Sequence, residues 1–399
     1  MTIDRSVSDR RRLAARSILT CLLGLMGLGG FRATAETRTY VVERFTYAMY
    51  YDADFQKVCP YGWLPNLEEA FLQSIGPDER KRLMQPENAP ERSKRFRGEF
   101  TEGNAGEDLC SNPKSFESDP RYPLMLDRAV QSKVAYGLDL DGRTDGAATA
   151  NSCQHEKFVS PNNQPGIDNQ AFRALGCART WRGGSDAGGD QVQFEQAHMK
   201  DGNYNYLIEI RGITDLQNDE VEVGVYSTDD KPHMGLDGKF VPYQTFSTKK
   251  EMRFVNTLHG RIVKRVLTTD AVDSLRVETK YPVSGGNGMG TAHERVFRGA
   301  RFQLTLNGDG TLKGVMGAYE KPEEVMFVGR IGGKALATVD GAVCPLENKL
   351  LEALADGYPD PKTGKCTHIS LAYAVEATPA FIVHAEAAST DKISAANSD

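Results

Sequence analysis

Among the 399 residues there is no Cys-x-x-Cys pair, no His-x-His or His-Glu-x-x-His spacing and no Gly-x-Ser-x-Gly elbow. These gaps exclude zinc-ribbon, haem-attachment and thioredoxin-like chemistry, and they leave serine-nucleophile catalysis without a signature. The seven histidines are scattered, so a metal site built on them would have to be assembled from distant parts of the chain. The Gly-rich SGGNGMG (Ser284 to Gly290) lacks the lysine of a phosphate loop and the helix that should follow it. Beyond the first 35 residues no apolar run approaches the ~20 residues of a transmembrane helix, which argues against an integral membrane protein. A formal net charge of −6 makes nucleic acid and anionic lipid poor partners, because both are polyanions.

The N-terminus has what the remainder lacks. Arg10, Arg11, Arg12 and Arg16 precede the uncharged run Ile18 to Phe31, and Ala33-Thr34-Ala35 follows with small residues. That order reads as a secretory signal peptide over residues 1–35. The arginine cluster also fits a twin-arginine export signal. Those 35 residues hold six arginines and two aspartates, so removing their +4 from −6 leaves −10. Periplasmic or secreted localisation is expected. Six cysteines then remain, Cys59, Cys110, Cys153, Cys177, Cys344 and Cys366. An even number in an exported chain argues for disulfides. Their order in the chain suggests three sequential couples: Cys59–Cys110, Cys153–Cys177 and Cys344–Cys366.

Composition divides the mature chain. Residues 36–133 are loop-rich with short helices: Asn66 and Glu69 form a capping box for NLEEAFLQSIG, and Pro77 opens a second helix. Residues 134–320 switch to a period of two. Tyr204, Tyr206, Ile208 and Ile210 alternate with Asn205, Leu207, Glu209 and Arg211, and Val221, Val223 and Val225 with Glu220 and Glu222. Phe302, Leu304 and Leu306 run into the turn Asn307-Gly308-Asp309-Gly310, a hairpin signal. Residues 321–385 carry a helical pattern at Leu346, Leu350, Leu351 and Leu354, and residues 386–399 read as a disordered tail. The fold expected is mainly β: an antiparallel β-sandwich or jelly roll with short N-terminal and C-terminal helical segments.

Three groups of residues could carry chemistry. Asp139, Asp141 and Asp145 in LDLDGRTDG fail the EF-hand spacing, since Arg143 and Thr144 fall where an oxygen ligand and glycine belong. A looser metal site, with calcium as the cofactor, competes with two plain Asp-Gly turns. The stretch Cys153 to Cys177 gathers His155, Asp168, Asn169 and Arg173 on one segment, with Trp181 just beyond, as candidate ligand-binding residues. Asp168 and Asn169 could equally cap the short helix that follows, and Trp181 could fill the core. Glu220 and Glu222, two apart on one strand face, are the candidate catalytic pair for a glycan hydrolase. Solvent-facing glutamates would show the same spacing.

The segments GIDNQAFRALGC, NYLIEIRGI, NDEVEVGVYS, RGARFQLTLNGDGTLKGVMGAY and CPLENKLLEALADGYPDPKTGKCTHIS resemble an uncharacterised family of exported bacterial proteins. At fold level the resemblance implies a concanavalin-like sandwich, an architecture shared by lectins and glycosidases, and it transfers no functional residue. The leading expectation is an exported protein that binds a small molecule or glycan. The alternatives are a periplasmic hydrolase or metal-dependent enzyme, and a structural component of the cell envelope.

Overall fold

The computed structural model describes residues 35–96, 123–183, 188–281, 291–326 and 344–385. Residues 1–34, Cys110, the 284–290 glycine stretch and residues 386–399 lie outside the described residues. Eight strands follow one another as a meander: β1 (Glu36–Tyr47), β2 (Asn205–Ile213), β3 (Asn218–Thr228), β4 (Val255–Val263), β5 (Val266–Thr269), β6 (Thr291–Leu306), β7 (Leu312–Glu320) and β8 (Cys366–Val383). Each pairs antiparallel with the next, and β8 returns to β1 with Tyr40 opposite Pro379 and Tyr47 opposite Tyr373. The sheet is therefore closed into an eight-stranded up-and-down barrel. This overturns the expected sandwich or jelly roll. Alternation of apolar and polar residues is common to both architectures; only the contact between first and last strand tells them apart.

The inward face is mostly apolar and filled. Along β4 burial alternates strictly, with Asn256, Leu258, Gly260 and Ile262 inside and Thr257, His259 and Arg261 outside. Phe45 stacks on Tyr373 with ring centroids 4.3 Å apart and meets Tyr206 and Phe297 edge-on, so aromatic rings occupy the lumen. An eight-stranded barrel is just wide enough to be filled in this way. Charges stand on the outer faces of β3 and β4, the reverse of a lipid-facing barrel wall. Gly224 has a specific purpose there: an added Cβ would lie 2.1 Å from the Tyr226 hydroxyl, which crosses it to donate to Glu209 at 2.9 Å.

Helices and loops dress the barrel. α1 (Leu67–Ser74) carries the Asn66/Glu69 capping box, and α2 (Pro77–Leu83) starts at its proline. α3 (Gln170–Leu175) packs on β8, α4 (Asp190–Lys200) packs on β1, and α5 (Cys344–Ala353) packs on α3. Among the described residues no helix is long and apolar enough to cross a membrane. The segment expected to be helical after residue 320 also supplies β8, and the loop-rich N-terminal region supplies β1. The barrel thus draws a strand from each flanking region.

The disulfides differ from the sequential couples. Cys59 bonds Cys177 and Cys153 bonds Cys366, with Cα–Cα distances of 5.8 and 6.1 Å; Cys344 is also disulfide-bonded. Pairing follows which elements meet in space. The Cys153–Cys177 segment is thereby fastened twice, to the N-terminal region and to the start of β8.

Candidate functional site

The chain from Leu138 through the twice-fastened segment lies over the outer faces of β7 and β8. Leu138 and Leu140 pack on Tyr319, and Arg301 from β6 donates to the carbonyls of Asp139 and Leu140 at 2.9 and 3.1 Å. Gly146, at φ +72°, brings the second Asp-Gly turn against His155: an added Cβ would sit 2.0 Å from the His155 carbonyl oxygen. Beneath this segment five ionisable side chains are buried together.

Asp168, fully buried, is the hub. Its Oδ2 accepts from the Leu140 N–H at 2.7 Å, while Oδ1 accepts from His155 Nε2 at 2.7 Å and from Lys157 Nζ at 2.5 Å. Lys157 also reaches Asp141 Oδ1 at 2.7 Å, and Ser152 donates to Asp141 Oδ2 at 2.9 Å. Asp356, just before the short strand Gly357–Pro359 that pairs with β8, accepts from the Ser370 N–H at 2.6 Å; its other oxygen lies 3.4 Å from His155 Nε2. We count this last approach as an electrostatic contact, because Asp356 Oδ2 has no hydrogen-bond partner. The buried Tyr319 hydroxyl has none either.

Electrostatics follow from this packing. Burial pushes the Asp356 carboxyl up to about 6, with the Asp168 charge adding to the effect and His155 opposing it. Burial works against a charge on His155, but the bond to Asp168 and the Asp356 charge outweigh it and raise its pKa. Lys157 is likewise raised, its desolvation outweighed by Asp168 and Asp141. Asp141 is lowered, since bonds from Lys157, Ser152 and the Arg143 N–H overcome its burial.

The donor set does not fit a metal ion. Asp141, His155 and Asp168 place one potential ligand atom each within 4.8 Å of one another. His155 Nδ1, however, faces the Cys153 carbonyl at 2.8 Å and must donate to it, and Nε2 donates to Asp168, so the ring is an imidazolium with no lone pair to offer. The Lys157 ammonium already bridges the two carboxylates. Calcium requires six to eight oxygens. Asp139 and Asp145 have gone elsewhere: Asp139 accepts from the Gly142 N–H, and Asp145 pairs with Arg143 on the surface at 2.7 Å. The LDLDGRTDG stretch is a pair of Asx turns whose middle aspartate alone joins the buried cluster.

His155 also lines a cavity of about 410 Å³, together with Glu156, Gln170 and Arg173 on its polar side and Leu126, Val130 and Leu354 on its apolar side. Arg173 is held by four neighbours: the guanidinium lies 4.2 Å over the Phe158 ring and donates to Gln170 Oε1, the Val130 carbonyl and the Glu156 carbonyl. A second cavity, of about 460 Å³, lies between β1, α4 and the 238–240 loop. Its charged walls are surface groups such as the half-exposed Arg44–Glu376 pair.

The remaining candidates separate by role. Asn169 caps α3, accepting from the Phe172 N–H at 3.0 Å. Trp181 is buried, edge-on to Tyr47 at 4.8 Å, and bonds to Glu347. Glu220 and Glu222 project from the outer face of β3 with side chains 58% and 55% exposed. Glu222 pairs with Arg211, and Glu220 pairs with His259 at 3.1 Å. Neither lines either cavity. Sequence reading missed Lys157, Asp356 and Tyr319. Lys157 was within reach, two residues from His155, whereas Asp356 enters only because it meets Ser370, which β8 sets beside Tyr319 of β7.

Comparison with protein families, characterised proteins and solved structures gave no match. The resemblance to exported bacterial proteins rests on its quoted motifs alone.

Proposed function

We propose that the chain is an exported binding protein whose small polar ligand occupies the cavity walled by His155, Glu156, Gln170 and Arg173. The observation that carries this reading is the cavity itself. Its volume is that of a small-molecule site, its walls are part apolar and part hydrogen-bonding, and it adjoins buried groups with displaced pKa values. The polar wall stands on a segment held by two disulfides, so little ordering is needed on binding. The basic–apolar–small order of residues 1–35 supports export.

A binder is favoured over a hydrolase. The buried acid and imidazolium are engaged with each other, and Glu220 and Glu222 have no cavity. The test is a small-molecule screen read by thermal shift and NMR on wild type and Ala355→Phe, a substitution that fills the cavity at a partly exposed position. Compounds that stabilise wild type and fail to stabilise a normally folded Ala355→Phe protein support the reading. Equal stabilisation of both places the ligand elsewhere.

A further inference from the structure

We infer that the ligand of this cavity carries an anionic group, a carboxylate or a phosphate, seated on the Arg173 guanidinium; this rests on the cavity being the binding site. A guanidinium has five N–H donors. Arg173 uses three of them, all on neutral oxygens: Gln170 Oε1 at 2.9 Å, the Val130 carbonyl at 3.3 Å and the Glu156 carbonyl at 3.5 Å. The nearest carboxylate oxygen, Glu156 Oε2, stands 3.6 Å away and is bonded instead to Lys133 at 2.6 Å. A buried guanidinium without a carboxylate in hydrogen-bond contact is a costly arrangement, and a planar two-oxygen anion is the group that best satisfies its remaining fork.

The surroundings hold the fork ready. Gln170 accepts from Arg173 Nε while its own amide donates to the Glu156 carbonyl at 2.7 Å, which fixes its orientation. The Asn169 cap and the bond from the Gln170 N–H to Ser370 at 2.9 Å anchor the start of α3. Phe158 covers one face of the guanidinium. Of the charged side chains that line the cavity, Arg173 and His155 are cationic and Glu156 is anionic; His155 is already engaged by Asp168, which leaves Arg173 as the cation facing a ligand. Apolar Leu126, Val130 and Leu354 would contact the uncharged body of the ligand.

Calorimetric titration of the full chain with glucuronate, glucose, acetate and inorganic phosphate at fixed ionic strength tests this. Glucuronate should bind at least tenfold more tightly than glucose. Arg173→Gln should erase that preference. Glu156→Gln, a change at an exposed side chain that leaves the fold intact, should tighten anion binding several-fold by removing a competing carboxylate. Equal affinity for the two sugars, or indifference to Glu156→Gln, overturns the anionic ligand and leaves the cavity reading standing. No saturable binding by any of the four probes overturns both.

Discussion

Two clusters of buried charge lie back to back on the same two strands. Glu320 and Tyr373 point into the barrel and meet Arg295: its Nε and one terminal nitrogen hold both Glu320 oxygens at 2.9 and 2.8 Å, and the Tyr373 and Tyr47 hydroxyls accept from it as well. Tyr319 and Ser370, on the same strands but facing outward, border the Asp168 cluster. The inner cluster centres on one bidentate pair, with Glu195 of α4 close enough for its charges to be felt and pushed up to about 8, first by burial. The outer cluster has two cations, three carboxylates and two polar atoms without partners, and it adjoins a cavity. The period-two geometry of a strand lets one barrel wall fasten its lumen on one side and build a polar site on the other.

Perturbing each cluster should separate their roles. The largest effect is expected from severing the outer segment: Cys153→Ser with Cys366→Ser removes a cross-link spanning 213 residues. Its loss should lower stability by up to about 5 kcal/mol, measured by denaturant unfolding. In the lumen, Glu320→Gln removes the carboxylate from a buried guanidinium and should cost about 3–5 kcal/mol by the same measurement. Pairing it with Arg295→Met should recover most of the loss.

Asp168→Asn should cost less, about 1–3 kcal/mol, because Lys157 keeps Asp141 and His155 can release its proton. It should also change the pH profile. The raised pKa of His155 contributes stability that is complete below about 6.5 and lost as pH climbs through the folded value. Asp356 keeps its proton to about 6 when folded but releases it near 3.8 when unfolded, so it too weakens the fold as pH rises between those values. Asp168→Asn should lower the His155 pKa in NMR titration and flatten the decline above pH 6; an unchanged His155 titration would contradict the geometry described. Smallest of all, Glu220→Gln and Glu222→Gln should each change stability by less than about 0.5 kcal/mol, as expected for exposed pairs, and leave ligand binding intact.

These contrasts mark what could be read in advance. The Asn307–Gly310 turn, the alternation at Tyr204–Ile210 and Val221–Val225 and the Asn66 capping box are local, and each appears where its residues placed it. Closure is not local. β8 is buried on both faces for much of its length, which hides the period of two and makes Cys366–Val383 read as an undifferentiated apolar run. The same limit governs the cysteines, since nothing in their spacing says that Cys59 meets Cys177. At the site, the stretch holding His155, Asp168 and Arg173 drew attention through its density of polar side chains, and those residues do converge. The acidic trio did not, because two of its members satisfy neighbouring backbone N–H groups.

The seam between the first and last strands has a bearing on biogenesis. Thr39 donates to the carbonyl of Ala380, 341 residues away, so the ring cannot shut until almost the entire polypeptide has been synthesised. Until then the growing chain presents raw sheet margins that invite pairing with other molecules. Those margins disappear only when the last strand docks on the first.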